Sequence, residues 1–133
     1  MVIIAATIIL LSTIYFKVVY DFKLWKKHLP INHAKEILIV SIPVGVSVYL
    51  FGHESDCSFP LNYLISFLLC ASWYMFLFNG GFNLVRHFNW WFIGTPDPND
   101  SVTEKFFRKI GMPATIALQI LLVICSTYLY FAL

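Results

Sequence analysis

The residues of this sequence that are best equipped for chemistry form two short polar clusters. In the first cluster, His53, Glu54, Asp56 and Cys57 all carry side chains that can bind a metal ion. A tetrahedral site needs a complete set of ligands, and no partner cluster of this kind is present elsewhere in the chain. A short connector between apolar runs must also be polar, so we interpret these four as loop residues.

The second cluster carries oxygen ligands, namely Asp97, Asn99, Asp100 and Glu104. An EF-hand loop requires a different ligand spacing and a central glycine, and Pro98 interrupts the pattern here. Turn formation and helix capping account for all four residues. We therefore expect no metal ion and no cofactor at either cluster.

The sequence also gives little support for a thiol relay or for a proton or cation pathway inside the spans. Cys57, Cys70 and Cys125 form no Cys-x-x-Cys pair, which a thiol relay requires. The centres of the long apolar runs contain no Asp, Glu, Lys or Arg, whereas proton relays and cation-coupled transporters normally place such a residue there. Among strong hydrogen-bonding side chains, Gln119 lies deepest in an apolar run, and we expect it to form an interhelical hydrogen bond. These features favour a non-enzymatic protein.

Long apolar runs must position all of these residues. The chain is 59% hydrophobic and 12% charged, against roughly 25% charged residues in soluble domains. Lipid must therefore be the solvent for part of its surface. We predict an all-α polytopic membrane protein, a single domain with four transmembrane helices. The predicted spans cover residues 1–20, 35–52, 59–79 and 113–133.

Prolines and glycines predict the helix ends. Pro43 lies in the second span and should kink it. Pro60 suits the first turn of the third span, and Asn79-Gly-Gly81 should end or bend that span. The first helix should continue out of the bilayer until Pro30, and Asn32 is the predicted N-cap of the second.

A short amphipathic helix is predicted between the third and fourth spans, over residues 102–110. Ser101 and Glu104 match a capping box at its start. Three apolar residues share one face of it: Val102, Phe106 and Ile110. This pattern is typical of a helix that lies on the inner leaflet.

The basic residues predict the orientation. All nine Lys and Arg residues fall in two segments that four spans would place on one side of the membrane. They are Lys17, Lys23, Lys26, Lys27 and Lys35, then Arg86, Lys105, Arg108 and Lys109. The remaining connector, residues 52–58, has none. The positive-inside rule then places both basic segments in the cytoplasm and both termini outside. The stem of Lys17 should snorkel to the interface.

Contact residues follow from size and polarity. Small or polar residues inside spans predict close helix packing, and here they are Ser41, Gly45, Ser66, Cys70 and Gln119. Tryptophans and bases at the inner interface predict contact with anionic lipid headgroups or a partner, and here they are Trp25, Lys26, Lys27, Arg86, Trp90, Trp91, Lys105, Arg108 and Lys109. The net charge of +2 argues against nucleic-acid binding.

The region 82–110 resembles uncharacterised small multi-pass membrane proteins of bacterial phages and prophages. The resemblance rests on Leu84-Val-Arg86, Trp90-Trp-Phe-Ile-Gly-Thr95, Asp100 and a basic helix before a final apolar span. It covers about the last third to half of the chain. It implies a phage-associated role, such as a viral membrane component, a superinfection factor or a holin-like protein, and it implies no catalytic residue.

The sequence as a whole favours a small integral membrane protein that assembles or interacts within the bilayer, as a homo-oligomer or part of a larger assembly. It would lie in a bacterial inner membrane or a viral internal membrane. The alternative is a small oligomeric channel or pore, in which Gln119 faces a water-filled path. A membrane enzyme is a third hypothesis, which would require Arg86, His87 and Asp97 to converge on a cavity.

Overall fold

The protein folds into apolar helices long enough to cross a membrane. Its computed structural model describes residues 1–29, 33–55, 57–92 and 102–133, with the backbone alone for 33–35 and 102–104. In these ranges the chain forms α1 (Val2–Lys26), α2 (His33–Glu54), α3 (Leu61–Val85), α4 (Val102–Ile110) and α5 (Met112–Ala132). All but α4 have the length and hydropathy of a membrane span. The predicted all-α polytopic fold is confirmed.

Helix α3 is the centre of the bundle, because it packs against α1, α2 and α5. Helices α1 and α2 also pack against each other, and α4 packs against α5. The core on the α1 side has a simple helical periodicity. Four buried residues follow one another at intervals of four: Ala6, Leu10, Ile14 and Val18. This spacing gives α1 one continuous face toward its neighbours.

Helix α5 has the reverse of the polarity of a helix in a water-soluble protein. Its buried residues are Thr115, Gln119, Ser126 and Tyr130. Its exposed face instead carries Leu121, Ile124 and Phe131 among other large apolar side chains. Where lipid is the solvent, apolar groups can face outward at no cost, and polar groups must find partners inside. The distribution on α5 fits this rule.

Hydrogen bonds join α5 to the rest of the bundle. The hydroxyl oxygens of Ser72 and Ser126 are 2.6 Å apart. One residue further along each helix, Trp73 Nε1 donates to Thr127 Oγ1 at 3.0 Å. The Tyr130 hydroxyl donates to the carbonyl oxygen of Phe51 in α2, at 3.1 Å. Such bonds satisfy groups that hydrocarbon could not.

Helix α3 extends beyond its predicted end at residue 79. It continues through Gly80 and Gly81 to Val85, a length of 25 residues. A glycine in a helix interior costs only about 1 kcal/mol, which packing can offset. The packing in question is the indole of Trp90, since a Cβ built on Gly80 would lie 1.7 Å from Trp90 Cε2. The glycine therefore makes room for a ring and does not end the helix.

The other boundaries differ less from the sequence predictions. Helix α1 runs past residue 20 to Lys26, and α2 is continuous across Pro43. Helix α4 covers the predicted residues 102–110, and α5 begins at Met112. The predicted roles of Pro30, Asn32 and Ser101 fall outside the described residues, as does the predicted turn at residues 95–100.

Candidate functional site

Most of the described bases of the chain lie at one end of the molecule, which we call the basic end. It is formed by the C-terminal ends of α1 and α3, the N-terminal ends of α2 and α5, and α4. Ring contacts join Arg86, after α3, to Trp25 of α1. Thr115 Oγ1 of α5 donates to the carbonyl oxygen of Phe107 in α4, at 3.1 Å. The two basic segments of the sequence are thus adjacent in the fold.

A buried ion cluster lies next to the basic end, between α1 and α2. Lys17 Nζ donates to Glu36 Oε2 at 2.8 Å and also to Asp21 Oδ2. The three side chains are 12%, 9% and 3% exposed, in the order Lys17, Glu36, Asp21. Charges held this far from solvent require close partners, because their desolvation costs several kcal/mol each. The cluster therefore fixes the start of α2 against α1.

The ion cluster was missed by the sequence analysis, which expected Lys17 to extend toward the interface. Its ammonium instead points into the bundle, where it also lies 5.2 Å from the ring centroid of Phe78. One signal was present in the sequence. Lys17 and Asp21 are four residues apart, a spacing that places them on one helix face. Nothing in the sequence indicated that Glu36 would meet them.

Arg86 lies among three aromatic rings at the basic end. Its guanidinium carbon is 4.9 Å from the ring centroid of Trp25, 5.0 Å from that of Phe82 and 4.9 Å from that of Phe88. Cation–π contacts of this kind contribute about 0.5–2 kcal/mol each, depending on their desolvation. They join α1, α3 and the segment that follows α3. Two residues predicted for the inner interface, Trp25 and Arg86, are thereby in direct contact.

The segment after α3 folds back along that helix. Asn83 Nδ2 donates to the carbonyl oxygens of Trp90 and Phe92, at 2.9 and 2.8 Å. The rings of Trp90 and Trp91 lie 5.5 and 5.8 Å from that of Phe76. Both tryptophans are half-buried. A contact of either with headgroups or a partner stays a prediction.

Helix α4 packs on α5 through a residue that the sequence analysis did not select. Phe107 is 6% exposed, whereas Phe106, on the predicted apolar face, is 48% exposed. Lys105 and Lys109 are exposed, and Arg108 is half-buried. Contact of α4 with the inner leaflet stays a prediction. The side chains of Val102 and Glu104 lie outside the described part of the chain.

The predicted packing residues of α2 and the observed ones lie on different faces. Ser41 and Gly45 are exposed, and nothing lies within 4 Å of a Cβ built on Gly45. The buried small residue of α2 is Ser47, whose hydroxyl donates to the carbonyl oxygen of Ala6 at 3.2 Å. A spacing of four shows that small residues share one face of a helix. It does not show whether that face is directed toward the neighbouring helices. A contact of Ser41 and Gly45 with another chain stays a prediction.

The remaining predicted packing residues lie inside the bundle. Ser66 and Cys70 of α3 are fully buried, and the Ser66 hydroxyl donates to the carbonyl oxygen of Asn62 at 2.8 Å. Gln119 is 4% exposed and belongs to the buried face of α5. All three residues therefore belong to the buried interior of the bundle.

An apolar groove runs between α1 and α3 toward the basic end, and we call it the α1–α3 groove. Its volume is about 370 Å³. On α1 it is lined by Leu11, Ile14, Tyr15, Val18 and Val19, and on α3 by Leu77, Gly81, Leu84 and Val85. Both walls belong to membrane-spanning helices. Leu11, Tyr15, Leu84 and Val85 are exposed, so the groove opens at the surface of the bundle.

The candidate metal ligands at residues 53–57 are described only in part. Among the residues that the structure describes, no group of three or more His, Cys, Asp and Glu side chains is placed to hold a metal ion. Asp56 and the cluster at Asp97, Asn99 and Asp100 lie outside the described residues. So does the convergence of Arg86, His87 and Asp97 that an enzyme would require.

No protein-family model, curated protein or solved structure matches this chain. Evidence on function therefore comes from the residues and contacts of the molecule itself. These point to the basic end, where the ion cluster, the Arg86 contacts and the groove lie together.

Proposed function

We propose that this chain is a non-enzymatic, multi-pass membrane protein that works by assembly and interaction within the bilayer. Its contact surface is the basic end. The observation that carries the proposal is the way the fold gathers bases and aromatic rings there from three separate stretches of sequence. The members of this surface are Lys23, Lys26 and Lys27, Arg86 with Trp90 and Trp91, and Lys105, Arg108 and Lys109.

The internal contacts of the bundle support a static role. Between α3 and α5 the polar side chains bond to one another, as Ser72 does with Ser126 and Trp73 with Thr127. Side chains used in this way are not available to line a water-filled path. A pore would have to be lined by other residues, such as Gln119, or by surfaces between copies of the chain.

The proposed orientation places the basic end in the cytoplasm and both termini outside, in a bacterial inner membrane or a viral internal membrane. Anionic headgroups of the inner leaflet attract bases with about 1 kcal/mol per residue near the surface. The resemblance to phage and prophage proteins extends the proposal to a component of a viral membrane or a superinfection factor.

Subunit counting tests the assembly role. The protein, labelled with one fluorophore per chain, is reconstituted into vesicles at low density, and photobleaching steps are counted. We expect more than one copy per complex. Reversing two exposed charges of α4, with Lys105→Glu and Lys109→Glu, should reduce the count. Strictly single copies in the unaltered protein would contradict a homo-oligomeric assembly.

A matched control changes the opposite end. Tyr128 and Phe131 are 71% and 72% exposed near the end of α5, so Tyr128→Ala with Phe131→Ala should leave the count unchanged. Planar-bilayer recording of the same preparation separates assembly from conduction. We expect no conductance at any potential, and reproducible unitary currents would favour the pore.

A further inference from the structure

The α1–α3 groove lies where the inner leaflet meets the protein in the proposed orientation. Its α1 wall runs from Leu11 to Val19 and its α3 wall from Leu77 to Val85. Eight residue steps at 1.5 Å give a length of about 12 Å. At Gly81 the wall has no side chain, and a Cβ built there would lie 3.5 Å from Val18 Cγ2. A single methyl group at Gly81 would thus be in ordinary van der Waals contact with Val18, and the further atoms of a longer side chain would occupy space between the two walls.

The end of the groove nearest the basic end carries positive charge. Lys23 and Lys26 follow Val19 by four and seven residues, so they continue the same wall of α1 by one and two turns. Both lysines are exposed. The opposite end of the groove has no such charge, because residues 1–11 contain no Lys or Arg. The groove is therefore apolar along its length and cationic at one end only.

We propose that the α1–α3 groove binds one anionic phospholipid of the inner leaflet, with an acyl chain between α1 and α3 and its phosphate at Lys23 and Lys26. This inference rests on the proposed function, in which the basic end faces anionic headgroups, and it names the ligand there. The combination of an apolar slot and two bases at its membrane-surface end is complementary to an acyl chain with a phosphate at its end.

The dimensions favour a lipid over a helix of another chain. A cavity of about 370 Å³ lies within the range of roughly 300–1,000 Å³ that holds small molecules. A partner helix that spans the bilayer would need a contact strip of about 30 Å, more than twice the length of the groove.

Lipid retention tests the proposal. The protein is extracted in detergent, mixed with phosphatidylglycerol or with phosphatidylcholine of identical acyl chains, and weighed by native mass spectrometry. We expect one phosphatidylglycerol to be retained in preference to phosphatidylcholine. Lys23→Gln with Lys26→Gln should weaken its retention about 30-fold, from about 1 kcal/mol for each base.

Two matched controls separate the groove from the surrounding surface. Lys105→Gln with Lys109→Gln removes the same charge from the basic end but leaves the groove wall intact, so retention should persist. Gly81→Leu should fill the groove and abolish retention. Gly45→Leu adds the same side chain where nothing lies within 4 Å, and it should have no effect. Circular dichroism verifies that each variant is folded.

Three other results would overturn the proposal. Equal retention of the two lipids would overturn the proposal, because headgroup charge would then play no part. An equal loss in both lysine pairs would also overturn it and would leave a diffuse basic surface, as in the proposed function. If the unaltered protein were a dimer without bound lipid, and Gly81→Leu lost that dimer, the groove would be assigned to a second copy. The number of copies per complex, from subunit counting, is measured independently of these three results.

Discussion

At the scale of single residues, the ion cluster is the feature with the largest energetic consequence. One ammonium, that of Lys17, bonds to the carboxylates of both Asp21 and Glu36. A buried ion pair adds little stability relative to an apolar replacement, but removal of one partner leaves an uncompensated charge. The cluster should therefore tolerate loss of a single member poorly.

Lys17→Met should lower the free energy of unfolding by about 3–5 kcal/mol, because it leaves Glu36 buried without its cation. Thermal unfolding in detergent micelles, followed by circular dichroism, measures the change. Adding Glu36→Gln should recover part of the loss. Lys23→Met, at an exposed lysine of the same helix, should change stability by less than about 0.5 kcal/mol. Equal effects of Lys17→Met and Lys23→Met would contradict the buried arrangement.

A second prediction at this scale concerns Gly80. In Gly80→Ala the new methyl would overlap the indole of Trp90, so the ring must leave α3. We expect a loss of about 1–3 kcal/mol in unfolding free energy and a shift in tryptophan fluorescence. Gly45→Ala is the control, since its site is empty and a helical alanine is favoured over glycine by about 0.5–1 kcal/mol. Stabilisation in both variants would show that Trp90 does not lie on Gly80.

At the scale of elements, hydropathy predicts that a helix spans the membrane, but it does not predict which face of the helix packs against its neighbours. Length and apolar composition were sufficient to identify α1, α2, α3 and α5. They gave no information on rotation, because a lipid-facing residue and a core residue can both be apolar. The small residues of α2 illustrate the point. Ser41 and Ser47 look equivalent in sequence, yet only Ser47 is buried against α1.

Contacts between distant segments could not be predicted from the sequence either. The glycine pair at residues 80 and 81 has the composition of a helix end, and only the position of Trp90 explains why α3 continues. Glu36 lies in the first turn of α2, and its contact with Lys17 depends on the crossing of α1 and α2. The basic end could be predicted because charge segregation is recorded in the sequence itself.

Polar packing between α3 and α5 should contribute a measurable coupling. We predict that Ser72→Ala and Ser126→Ala, alone and combined, give an interaction free energy of about 0.6–1.7 kcal/mol in a double-mutant cycle of unfolding. The physical reason is the bond between their hydroxyls at 2.6 Å. Ser41→Ala with Ser126→Ala is the control pair, because Ser41 bonds to Leu38 of its own helix. Strict additivity for Ser72 and Ser126 would contradict the interface.

At the scale of the whole molecule, the segregation of charge predicts how the protein is oriented in the membrane. Helices α1 and α3 run in one direction and α2 and α5 in the other, so the bases of separate segments meet at one end. Moving that end across a bilayer would require the translocation of several bases. The opposite end contains Cys57 and His53, neither of which lies beside a Lys or Arg in the sequence.

Cysteine labelling of intact cells tests this orientation. Cys70→Ala and Cys125→Ala leave Cys57 as the single thiol. A membrane-impermeant maleimide should modify Cys57 without permeabilisation. Because Cys57 is half-buried, His53→Cys with Cys57→Ala provides an exposed reporter at the same end. Lys27→Cys with Cys57→Ala should react only after permeabilisation, since the positive-inside rule keeps that residue in the cytoplasm. The reverse pattern, with position 27 labelled and positions 53 and 57 protected, would place the basic end outside and remove the inner leaflet as its binding surface.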